Sequence, residues 1–146
     1  MTYRASKPNI PQHHAITKGA SAKLLDLIQR AFQLHSSGKL DAALTNYNQI
    51  LKMYPRHFDA LQLKGALMQQ KGNSEEAVSL FIRALEINAK NASTWFNLGL
   101  AYESLGQYQD AVIACEKALC VNPLHRDAAD KLVHLRSHVK DRPETD

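Results

Sequence analysis

Gly38, Gly72 and Gly106 stand 34 residues apart, and the residues around them keep the same step. Ahead of each glycine runs an apolar row: Leu27, Ala31 and Leu34, then Leu61, Gly65 and Met68, then Trp95, Gly99 and Tyr102. Behind each comes a second row, in which Ala43, Ala77 and Ala111 share one phase and Tyr47, Phe81 and Cys115 another. Side chains at i, i+4 and i+7 fall on one face of an α-helix. A glycine between two such rows ends the first helix, because it takes a left-handed conformation without steric cost. The sequence therefore describes a helix–turn–helix pair written three times. One pair cannot bury its apolar face unaided, so a period of this length calls for stacked units sharing a continuous core.

The units fall at 24–57, 58–91 and 92–125. The first pair is expected to run from Ser21, a good N-cap, to Ser37, and from Leu40 to Tyr54, where Pro55 stops it. The second should span Phe58 to Lys71, then, behind an Asn73–Glu76 capping pair, the run holding Leu80, Phe81, Ala84 and Leu85. The third should span Ala92 to Leu105 and Tyr108 to Val121. Residues 126–140 keep an amphipathic helical period without a partner row, as a solubilising cap on the last open face would. Residues 1–20 hold Pro8, Pro11 and Gly19, lack periodicity and read as a flexible leader, and 141–146 read as a polar tail. Gly65 and Gly99 sit inside helices, where glycine costs ~1 kcal/mol relative to alanine. Close approach of paired helices, with Ala43, Ala77 and Ala111 as the small partners, is the economical explanation.

Within Ala92–Pro123, Trp95, Leu98, Gly99 and Tyr102, followed by Ala111, Ala118 and Pro123, spell W-x2-L-G-x2-Y…A…P. This pattern resembles the tetratricopeptide (TPR) repeat, and the likeness covers about Leu24 to Leu124. It implies an all-α solenoid, a right-handed superhelical stack of about seven antiparallel helices. It also implies function: TPR arrays line a concave groove with the first helix of each pair and bind peptides or proteins there. The run His57–Gly99 is also similar to the TPR segments of bacterial glycosyltransferases, including O-GlcNAc-transferase-like proteins, which hold substrate backbone with groove asparagines. Asn97 fits that ladder; Gln29 and Leu63 depart from it. A second TPR subclass grips acidic chaperone tails with Lys, Asn, Asn, Lys and Arg. The matching positions here hold Ile28, Phe32, Leu63, Ser93 and Asn97, with no cation among them, which argues against that ligand.

On this resemblance the expected groove residues are Ile28, Gln29, Phe32 and His35 from the first unit. Gln62, Leu63 and Gln69 come from the second, and Ser93, Phe96, Asn97, Leu100 and Glu103 from the third. Leu25, Ser36, Asp59, Ala66, Gln70 and Ser104 share their phases, and the capping helix could add Asp130, Lys131 and His134. Amides among apolar side chains suit an extended or helical peptide, whose main chain the amides can pair. In so short an array, part of the apolar set could equally be core between repeats.

The remaining features exclude more than they add. No apolar run approaches the roughly 18 residues of a membrane span, and the basic start lacks the apolar stretch of a secretory signal. The formal charge of +4 gathers in the N-terminal third: residues 1–20 carry Arg4, Lys7 and Lys18 without an acid. That is too sparse for a nucleic-acid stripe. Cys115 and Cys120 lie five apart in one helix and so on different faces, against a disulfide or metal pair and in favour of a reducing, cytoplasmic compartment. Ile10 and Ile16, beside His13 and His14, could serve as an arm reaching a groove. His134 and His138 share a helical face but have no evident third ligand, so solvated histidines are the simpler reading and no metal or cofactor is expected. No nucleophile elbow, phosphate loop, dinucleotide fingerprint or zinc-protease pattern is present, and the expectation is a non-catalytic scaffold for a protein or peptide, without a small-molecule substrate. Self-association is the second reading, and recruitment of substrate for a transferase the third.

Overall fold

A computed structural model describes residues 18–140. Among them are seven helices: α1 (Lys18–Ser36), α2 (Leu40–Met53), α3 (Phe58–Gln70), α4 (Ser74–Ile87), α5 (Ala92–Ser104), α6 (Tyr108–Val121) and α7 (Arg126–Lys140). The described residues contain no strand. One boundary differs from expectation. Helix α1 begins at Lys18, so Ser21 lies inside it rather than at its cap. Ala20 and Ala22 are strong helix formers and carry the helix past the serine. The rest of the leader, with Ile10, Ile16 and the His13–His14 pair, lies outside the described residues, as does the tail 141–146.

The starts and stops have local causes. Asn73 Oδ1 accepts the Glu76 backbone N–H at 3.2 Å, and Asn73 Nδ2 donates to Glu76 Oε2 at 3.1 Å, so the expected capping pair forms at α4. Three further caps share one phase of the repeat. His57 Nδ1 accepts the Ala60 N–H at 3.2 Å, Asn91 Oδ1 accepts the Thr94 N–H at 2.9 Å, and His125 Nδ1 accepts the Ala128 N–H at 3.2 Å. Each satisfies a donor that the first turn of a helix leaves without an intrahelical partner. Gly38, Gly72 and Gly106 have φ of +80°, +84° and +71°, the left-handed region their phase called for.

The close approach expected at Gly65 and Gly99 is real, but the nearest neighbour at each is not the expected alanine. A methyl placed on Gly65 would stand 2.7 Å from Phe81 Cε1, so the tight neighbour is the Phe81 ring rather than Ala77. At Gly99 the same methyl would meet Cys115 Sγ at 3.0 Å and the Ala111 carbonyl oxygen at 3.3 Å. Phe81 and Cys115 occupy one repeat phase, so a large residue in the second unit is replaced by a small one in the third. The main core gathers α1 to α5 and Ala114 of α6, with Tyr47, Ile50, Leu61, Leu67 and Phe81 fully buried. A second, smaller core joins Ala111 and Cys115 of α6 to Leu132 and Leu135 of α7.

The stack is curved. Helix α1 touches α3 and α3 touches α5, whereas no comparable contact joins α2 to α4 or α4 to α6. The first helices of the pairs converge and the second splay apart. Helices α1, α3 and α5 therefore line the concave side.

Candidate protein-binding groove

The positions expected to face the groove carry three kinds of side chain. Apolar rings and branches come first: Phe32, Leu63, Phe96 and Leu100 are all half-buried. Leu63 leans on the main core and Phe96 on the second, but Phe32 and Leu100 belong to neither. Amides form the second kind. Gln29 is exposed and Gln62 and Gln69 are half-buried. None of the three makes a side-chain hydrogen bond among the described residues. Asn97 is 7% exposed, yet its amide too has no hydrogen-bond partner there and stays open to solvent. An amide with solvent access and no protein partner keeps its donors and acceptor available. Left open on a concave wall, it can pair the main chain of a bound segment.

Charged and titratable groups make up the third. Glu103 of α5 and Lys131 of α7 form an ion pair at 2.9 Å, each about a quarter exposed. Asp59 is half-buried and has no ion pair among the described residues; burial raises its pKa above the ordinary carboxylate value, opposed by His57. His35 bridges two units: Nδ1 lies 3.2 Å from the Tyr47 hydroxyl and Nε2 3.1 Å from Gln70 Oε1. The amide oxygen can only accept, so Nε2 carries the proton and Nδ1 accepts from Tyr47. Burial lowers the His35 pKa, opposed by the bond to Gln70.

Of the residues expected in the groove, Ile28 is 5% exposed and belongs to the main core, where α1 meets its neighbours. Its side chain is spent on packing. Ser93 is exposed, and Phe96 sits against the His125 ring with centroids 5.2 Å apart. The His57, Asn91 and His125 caps lie outside the sequence expectation, although their 34-residue spacing is a usable signal.

Elsewhere, His134 and His138 face each other with Nε2 atoms 3.3 Å apart, and the His138 ring stacks on Tyr108. Among the described residues no cluster of three or more His, Cys, Asp or Glu could hold a metal ion. Cys115 is fully buried, and burial pushes its thiol up to about 11; Cys120 is exposed. No helix among the described residues is long and apolar enough to cross a membrane.

Comparison with known proteins agrees with this geometry. The tetratricopeptide repeat family model matches residues 92–124, and a TPR repeat model matches residues 65–106. The chain is a tetratricopeptide repeat protein, and it resembles the TPR segments of glycosyltransferases. The probable UDP-N-acetylglucosamine–peptide N-acetylglucosaminyltransferase SPINDLY of Solanum lycopersicum is 29% identical over 107 residues, 73% of this chain but 12% of that protein. The chain thus matches only about an eighth of that relative's length. Among solved structures, the O-GlcNAc transferase of Thermobaculum terrenum superposes with a TM-score of 0.76 at 27% identity, covering 82% of this chain and 23% of that one. The first TPR domain of Spaghetti, bound to the HSP90 peptide SRMEEVD, superposes with a TM-score of 0.79 at 19% identity, covering 83% and 96%.

Proposed function

We propose that this chain is a non-catalytic scaffold that holds a peptide segment of a partner protein in its concave groove. One observation carries the reading: Asn97, more than nine-tenths buried on the groove wall, keeps its amide without a partner among the described residues. Gln29, Gln62 and Gln69 are likewise free there, between the half-buried Phe32, Leu63, Phe96 and Leu100. Amides spaced along an apolar wall suit an extended segment, with main chain on the amides and side chains in the gaps between rings. The Spaghetti domain offers a precedent for a peptide seated in such a fold. Its peptide is acidic, however, and Ile28, Phe32, Leu63, Ser93 and Asn97 supply no cation to grip one. A cytoplasmic location belongs to the same reading.

A second reading follows from the transferase relatives: the groove would recruit substrate for a glycosyltransferase whose chemistry lies outside these residues. Both make the groove the working surface. Affinity capture with the full chain, identified by mass spectrometry, tests it against Phe32→Ala, Gln62→Ala and Asn97→Ala combined. The triple variant should keep its helical circular dichroism and lose its partners. Undiminished capture by a folded triple variant would count against the groove.

A further inference from the structure

We infer that the segment taken by this groove is basic, an extended stretch of a partner protein whose Lys or Arg side chains are set against Asp59 and the Asp130 end of the wall. The inference rests on the groove reading above. The chain as a whole carries a formal charge of +4, but the groove positions do not share it. On α1, α3 and α5 the only fully charged side chains at the expected groove positions are acids, Asp59 and Glu103; of the capping-helix residues expected beside them, Asp130, Lys131 and His134, Asp130 is exposed and Lys131 pairs with Glu103. Lys131 is already taken: its ammonium lies 2.9 Å from Glu103. That pair leaves the two aspartates without an ion pair among the described residues, His57 being the only charge that opposes the upward shift of Asp59.

Asp59 is the sharper of the two. It is half-buried, accepts no side-chain hydrogen bond among the described residues, and has no cation within salt-bridge distance there. Removing a carboxylate from water without a partner is unfavourable, and an ammonium or guanidinium of a bound segment would restore the lost solvation. On the same helices Asn97 is 7% exposed and has no hydrogen-bond partner among the described residues, so its solvent-open amide is available to the main chain of a bound segment. Asn97 would fix the main chain, and Asp59 would select the side chains. An acidic segment meets the opposite: no free cation, and repulsion from both aspartates.

The test uses the full chain and three fluorescein-labelled nonapeptide pools, identical except that alternate positions are Lys or Arg, Gln, or Glu. Fluorescence anisotropy should show the basic pool binding about tenfold or more tighter than the glutamine pool, a margin of the order of one close charge pair. The margin should shrink as salt is raised. Asp59→Asn should narrow it, while Asn97→Ala weakens every pool. Equal affinity for the basic and glutamine pools, with Asn97→Ala still harmful, overturns the charge preference and leaves the groove standing. Tighter binding of the acidic pool does the same. Binding indifferent to Asn97→Ala and Phe32→Ala, or no binding of any pool, overturns both. Self-association that peptide does not reverse, seen by sedimentation, makes a second copy the occupant and also overturns the inference.

Discussion

Two glycines in equivalent helices face different neighbours, and their substitutions should differ accordingly. Alanine at Gly65 gains up to ~1 kcal/mol of helix propensity, but its methyl would lie 2.7 Å from a fully buried ring. Phe81 is packed on all sides and cannot turn aside, so overpacking at ~1–3 kcal/mol wins. Gly65→Ala should therefore lower the urea midpoint. At Gly99 the nearest atom is a sulfur at 3.0 Å, on a short side chain that can rotate. Gly99→Ala should cost less than Gly65→Ala, and Cys115→Ala beside it should be milder than the two single costs added. A double-mutant cycle from urea melts gives the coupling, expected at ~0.5 kcal/mol or more for residues in contact.

At the scale of the helix, the His57 cap brings a pH dependence. His57 holds the first turn of α3 by accepting an N–H on Nδ1, which only the unprotonated nitrogen can do. Burial lowers the His57 pKa below 6.5, partly offset by Asp59, and burial lowers that of His35 as well. A histidine with a depressed folded pKa gives stability that is complete above the unfolded value and lost as pH falls through the folded one. Melting temperature should therefore fall as pH is lowered from about 7.5 to about 5.5, around the unperturbed histidine value. Asp59, shifted upward by burial, acts in the opposite sense. His57→Asn keeps an acceptor, as Asn91 does at the same phase, and cannot titrate. It should flatten part of the slope, leaving the His35 share. His57→Ala should cost about 1 kcal/mol at neutral pH, the usual worth of an N-cap.

At the scale of the whole molecule, the period of 34 was enough to read the helix pairs and the cap, because turn glycines and apolar rows repeat the same local physics in each unit. The groove was less legible. Ile28 and Phe32 lie on one face of α1, yet one is core and the other half-open. That difference is set by how closely α3 approaches, which no residue of α1 encodes. The split of the core was also hidden: Phe81 falls in the main core and Cys115, at the same phase one unit on, in the second. The split has a measurable consequence. Leu132 and Leu135 of α7 close the second core over Cys115, while the main core holds no residue of α7. In a stack whose units touch only neighbours, the last helix can open without unfolding the rest. The exposed Cys120 should react at once with a chromogenic disulfide reagent, and Cys115, buried and with its thiol pushed up to about 11, should lag far behind. Leu135→Ala leaves a cavity in the seam and should speed the slow phase, by about tenfold for each 1.4 kcal/mol of cap stability lost. The main core should keep its urea midpoint. If the slow thiol instead sped up only in step with loss of the whole helical signal, α7 would belong to one cooperative unit with the repeats rather than sealing their end.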